Sequence, residues 1–214
     1  MRNLKPQIQF ATLAQQTETA QLGMWAFIAT EVMFFGVLFF AYAVYRVSYP
    51  DQFRLAGHDT QILLGSINVA ILLTSSLTMV LAINAAREER ERVAVGLLLA
   101  TAALGLAFIG VKGYEYLLDY QAQSVPRLDY VFKPGQRGPT ELFWVFYFIA
   151  TGVHAIHLSL GIGLVLIMAW RTRRGVFSRA YNAPLEVVGL YWSFVDIVWV
   201  FLFAAIYPMG RISA

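Results

Sequence analysis

The sequence predicts an all-α, polytopic membrane protein: a bundle of five transmembrane helices, with the N-terminus inside and the C-terminus outside. Three observations predict it. First, 58% of the 214 residues are hydrophobic and only 14% are charged, whereas soluble domains run at roughly 45–50% and about 25%. The mean hydropathy of +0.59 points the same way. Second, five apolar runs reach the roughly 20 residues needed to cross a bilayer. Runs of that length satisfy their backbone groups in lipid as helices. Third, the basic residues are unevenly shared between the two sets of connecting segments.

In chain order, the runs cover residues 22–47, 62–86, 93–118, 142–170 and 184–209. Tyr49-Pro50-Asp51 ends the first. The charged stretch Arg87-Glu88-Glu89-Arg90-Glu91-Arg92 makes a hairpin between the second and third. Lys133-Pro134-Gly135 and Gly138-Pro139 punctuate the longest loop, and Arg171-Thr172-Arg173-Arg174-Gly175 closes the fourth run. No internal repeat is evident. One side collects Arg2, Lys5, Arg87, Arg90, Arg92, Arg171, Arg173, Arg174 and Arg179. The other collects Arg46, Arg54, Arg127, Lys133, Arg137 and Arg211. The positive-inside rule then sets the orientation. The expected organisation is an N-terminal segment over 1–21 on the inner side, one five-helix domain over 22–210, and a tail over 211–214. The N-terminal residues are mixed and polar, and no cleavable signal peptide is expected.

Ionisable groups inside a membrane are functional candidates, because placing them there is costly. Glu31 lies about nine residues into the first run, among Trp25, Phe27, Val32, Met33, Phe34 and Phe35. Such a carboxyl is costly unless it is neutral, paired or useful, and its local neighbours offer only Thr30 as a hydrogen-bonding side chain. A structural or lipid-facing role and a proton-linked role both remain open for it. Lys112 and Glu115 are three apart and can pair on one helix face. His154 and His157 share a face by the same spacing. Two imidazoles are too few for a structural zinc site, so hydrogen bonding between helices is the expected role. Asp196 lies halfway along the fifth run, and Glu186 sits in its first turn, where the helix dipole favours an anion.

Absences narrow the function. The chain has no cysteine, which removes disulfides, thiolate metal sites and cysteine nucleophiles. Its three histidines are too few for two bis-histidine haems, and no Gly-x-Ser-x-Gly motif is present. The fifth run lacks lysine, which argues against a retinal Schiff base there. A net charge of +3 reads as topology rather than as nucleic-acid binding.

Four stretches resemble one known family, subunit III of the haem–copper terminal oxidases (cytochrome c oxidase and its quinol-oxidase relatives). Gly23-Met24-Trp25 through Thr30-Glu31-Val32-Met33-Phe34-Phe35 resembles the family's helix with a buried glutamate. Gly113-Tyr114-Glu115-Tyr116 is similar to its "E-Y" helix end. Ala150-Thr151-Gly152-Val153-His154-Ala155-Ile156-His157 resembles its "A-T-G-x-H-x-x-H" signature. Glu186 with Tyr191-Trp192-Ser193-Phe194-Val195-Asp196-Ile197-Val198-Trp199 is similar to its closing helix. The likeness spans residues 22–210. Two departures stand out: the family's long form has seven helices where this chain matches the last five, as in its short form, and Ser193 stands where histidine is usual.

The resemblance implies a redox-inert subunit with no cofactor of its own, packed against a haem- and copper-bearing catalytic subunit I and further oxidase subunits. It also implies bound phospholipid, a role in proton uptake, and residence in a bacterial cell (inner) membrane. It makes Glu31 the match of the family's carbodiimide-reactive glutamate. Glu31, His154, His157 and Glu115 are expected in the polar interior of the bundle. Glu186, Trp192, Asp196 and Arg174 are expected to make interhelical or lipid contacts. Two other readings are an accessory subunit of a nitric-oxide reductase and a freestanding proton-linked transporter.

Overall fold

A computed structural model describes residues 8–126, 128, 130–132, 138–177 and 182–208. Among these described residues six helices follow in order: α1 (Leu13–Ser48), α2 (Pro50–Asp59), α3 (Ile62–Arg87), α4 (Glu91–Gln121), α5 (Gly138–Arg173) and α6 (Ala183–Ile206). Five of them, all but α2, are long and apolar enough to cross a membrane.

Several helix boundaries have a local cause. α1 starts nine residues earlier than its apolar run, inside the segment read as separate from the bundle. Thr12 caps it by accepting from the Gln15 N–H at 3.1 Å, while the Gln15 side chain accepts from the Ala11 N–H at 3.0 Å. This Thr-x-x-Gln arrangement satisfies N–H groups that a helix start leaves free. Pro50 does end α1, but it also opens α2, since proline suits a first helical turn. Gly138-Pro139, read as loop punctuation, likewise lies in the first turn of α5. The fifth spanning helix ends at Ile206 rather than 209. Met209, the tail over 211–214 and the loop residues Arg127, Lys133, Arg137 and Arg179 lie outside the described residues, as do Arg2 and Lys5.

The charged hairpin between α3 and α4 is closed by backbone bonds from Arg90 N–H to Ala85 C=O (2.9 Å) and from Glu89 N–H to Ala86 C=O (3.1 Å). Glu89 adopts φ 60° to make it. α3 and α4 form the most extensive helix pair, antiparallel and in a register set by the Thr78–Thr101 hydroxyl contact at 2.8 Å. α6 lies against α1, α3 and α5, and 56% of its spanning window is buried against 11% of that of α1. It is therefore the core helix, and α1 is a peripheral one. Gln21–Glu186 and Tyr42–Ala205 contacts join like ends of α1 and α6, which run parallel.

The core of the bundle is built from aromatic rings meeting missing side chains. Trp192 of α6 is fully buried between Gly105 of α4 and Gly161 of α5. A Cβ on Gly105 would sit 2.9 Å from the Trp192 ring and from Ile162. Small residues at helix contacts let membrane helices approach closely, and here they admit an indole.

Candidate functional site

The polar groups inside the bundle fall into separate clusters rather than one interior. At the first, Glu31 of α1 meets His157 of α5, with Oε2 and Nε2 3.1 Å apart and each side chain 18% exposed. The other imidazole nitrogen, Nδ1, lies 2.9 Å from the Val153 carbonyl. A carbonyl only accepts, so Nδ1 carries a proton. The Glu31–His157 contact then holds one further proton, on Oε2 or on Nε2, and the couple is electrically neutral in both arrangements. Phe35 packs edge-on against the imidazole, and the Tyr191 hydroxyl donates to the His157 carbonyl at 2.8 Å. Thr30, the nearby hydroxyl, donates instead to the Phe27 carbonyl. The partner of Glu31 thus comes from 126 residues away.

His154 does not share this environment. It is fully buried between the rings of Phe108 and Trp199, with centroids 5.5 and 5.1 Å away. Neither of its nitrogens has a hydrogen-bond partner among the described residues, which corrects the expected interhelical hydrogen bond. The reason is angular. Residues three apart on an α-helix differ by about 60° in direction. α5 packs against α1, α4 and α6, so that angle points His157 at α1 and His154 at α4 and α6.

Glu115 belongs to a second cluster. Lys112 donates to Glu115 Oε2 (3.1 Å), to the Tyr147 hydroxyl (2.9 Å) and to the Tyr207 hydroxyl (2.9 Å). Tyr207 donates to Glu115 Oε1, and Tyr147 contacts both Glu115 Oε1 (3.0 Å) and Asp119 Oδ2 (2.8 Å). All five side chains are buried. The lysine ammonium also lies 4.3 Å from the Tyr147 ring centroid, a cation–π distance. The cluster ties α4 to α5 and to the residue that caps α6. Breaking one partner of such a buried pair costs about 3–5 kcal/mol. Sequence reasoning found Lys112 and Glu115 but not Asp119, Tyr147 or Tyr207. Lys112, Glu115 and Asp119 follow an i, i+3, i+7 stripe, and that was the available signal.

A third set joins α3 to α6. Ser76 donates to Asp196 Oδ2, and the Trp192 indole N–H donates to Ser75 Oγ at 3.1 Å. At the arginine-bearing end of the bundle, Glu186 accepts from Arg87 (2.8 Å) and from Gln21 (3.2 Å), linking three helices. Arg174, just past the end of α5, lies over the Trp170 ring at 4.0 Å.

Two clefts flank α1. One, about 330 Å³, lies beside Arg87 and Glu186 and is lined also by Gln21, Asn84, Gly189 and Ser193. The other, about 580 Å³, is apolar. It runs between Met24 and Phe27 of α1, Leu160 to Ile167 of α5, and Val187 to Tyr191 of α6. Phe27 is one turn from Glu31, and Tyr191, which also lines the groove, donates to the His157 carbonyl.

A metal or haem does not fit these residues. His157 is committed to Val153 and Glu31, His154 is walled by rings, and His58 lies on the short α2. Among the described residues no three His, Cys, Asp or Glu side chains converge.

Comparison with known proteins agrees with this arrangement. The family model for cytochrome c oxidase subunit III matches residues 8–211. A probable quinol oxidase subunit 3 of Staphylococcus aureus (strain USA300) is 32% identical over 197 residues, 91% of each chain. A probable quinol oxidase subunit 3 of Staphylococcus epidermidis is 34% identical over 198 residues, again 91% of each chain. Matched along almost its whole length, the chain belongs to the cytochrome c oxidase subunit III family.

Proposed function

We propose that this chain is the redox-inert third subunit of a quinol-oxidising terminal oxidase in a bacterial cell membrane, and that it supports the catalytic subunit without carrying electrons. Family membership carries the reading, and the named relatives favour quinol over cytochrome c as donor. Haem and copper belong in the catalytic subunit I against which this bundle packs. The N-terminus faces inside, as the basic residues favour.

The residues divide the work. The Glu31–His157 pair holds one proton at the edge of the bundle beside an apolar groove, which suits a group that takes up or passes a proton near the catalytic subunit. The groove near it is lined by apolar side chains, which suits an acyl chain. Trp170 follows Leu160, Leu164 and Ile167 along the same stripe of α5, Arg174 lies over its ring just past the helix end, and a guanidinium there suits an anionic phospholipid headgroup. The Lys112 cluster holds the helices together.

Carbodiimide labelling of the intact oxidase tests the reading, since the reagent consumes a protonated carboxyl. The wild-type chain is expected to label, and Glu31→Gln to assemble normally and lose the label. Labelling that persists in Glu31→Gln would assign the reactive acid elsewhere.

A further inference from the structure

The centre of the bundle gathers buried polar atoms that the mechanism does not use. Both nitrogens of His154, the indole N–H of Trp199 and both amide atoms of Asn68 lack hydrogen-bond partners among the described residues, and all three residues are fully buried. They lie together. The His154 and Trp199 rings are 5.1 Å apart, and Phe108 packs on both. The Lys112 ammonium lies 5.4 Å from the Trp199 ring centroid. α3 and α6 run antiparallel, and seven residues along each from the Trp192–Ser75 contact Asn68 comes level with Trp199.

The chemistry of these atoms selects the ligand. The Trp199 N–H and the Asn68 NH₂ only donate, and the Asn68 carbonyl only accepts. The His154 ring, in either neutral tautomer, offers one donor and one acceptor. A cation is refused by the donors, and an anion by the acceptors. A molecule that both donates and accepts satisfies the set, and buried polar groups left over by the protein are the usual partners of internal water. We propose that ordered water occupies the bundle centre, bonded to His154, Asn68 and Trp199 and bordering the Lys112 cluster.

The position gives that water a consequence. His154 stands one helical turn from His157, so the hydrated centre lies between the Glu31–His157 pair and the cluster of Lys112, Glu115, Asp119, Tyr147 and Tyr207. The Lys112 cluster, which bulk solvent does not reach, then borders a hydrated centre inside an otherwise apolar bundle.

X-ray hydroxyl-radical footprinting of the intact oxidase tests this, because radicals form at bound water and oxidise the side chains beside it. Trp192 is the internal control, equally buried but with its indole N–H satisfied by Ser75. Trp199 is expected to oxidise several-fold faster than Trp192, and the double substitution Asn68→Leu, His154→Leu to bring Trp199 down to the Trp192 rate. Equal slow oxidation of Trp199 and Trp192 in the wild-type complex would overturn the proposal, as would an unchanged Trp199 rate in the double variant. The wild-type comparison decides by itself if the variant does not assemble.

Discussion

At the residue scale, two carboxyls one might have grouped together solve the membrane problem differently. Glu31 is met by an imidazole whose other nitrogen is fixed by a backbone carbonyl, so the two side chains share one proton. Glu115 is met by an ammonium and two phenols. Their substitutions should differ accordingly. In Glu31→Gln the new amide still donates to His157 Nε2, so stability is expected to change by no more than about 1 kcal/mol. Replacing His157 by phenylalanine strips Glu31 of its partner and should cost about 1–3 kcal/mol. Thermal unfolding of the purified complex measures both. Lys112→Met leaves Glu115 buried without its cation and is expected to cost about 3–5 kcal/mol. Adding Glu115→Gln should recover much of that loss, and no recovery in the double variant would mean that the two residues act independently. The existence of these acids was legible in the sequence. Their partners were less so, because the His157 partnership with Glu31 is set by how α5 rotates against α1, and no local pattern encodes that rotation.

At the element scale, hydropathy alone placed the five spanning helices, because a bilayer demands about 20 apolar residues of any span. It missed what is not apolar. α2 is a short surface helix, and the first turns of α1 are polar. Both carried capping signals, Thr12 with Gln15 and Pro50, that outweigh composition at helix starts. Extending α4 to Gln121 brought Asp119 into the buried stripe, so a short boundary error hid a member of the cluster. Two element-level substitutions follow from the backbone. Glu89 holds a left-handed conformation in the α3–α4 turn, which glycine adopts without a Cβ penalty. Glu89→Gly should therefore stabilise the hairpin by about 1 kcal/mol. Gly105→Ala should destabilise by about 1–3 kcal/mol, since its methyl would press on Trp192 and Ile162. Opposite shifts in the melting temperature of the two variants would test both together.

At the scale of the whole molecule, α6 organises the bundle and α1 remains largely uncovered, with Trp25, Met33, Val37 and Phe40 on its outer side. An apolar helix lying on such a bundle is suited to lipid and to a larger membrane partner. Among the described residues no three metal-ligating side chains converge, in keeping with a non-redox accessory subunit of a terminal oxidase. The most direct measurement is purification of the oxidase in mild detergent through a tag on this chain, with an optical spectrum of the complex and of the chain after separation. The haem-bearing catalytic subunit should travel with the tag, the complex should show haem absorbance, and the separated chain should show none. A chain that purifies alone, or that retains haem absorbance after separation, would contradict its assignment as a redox-inert subunit.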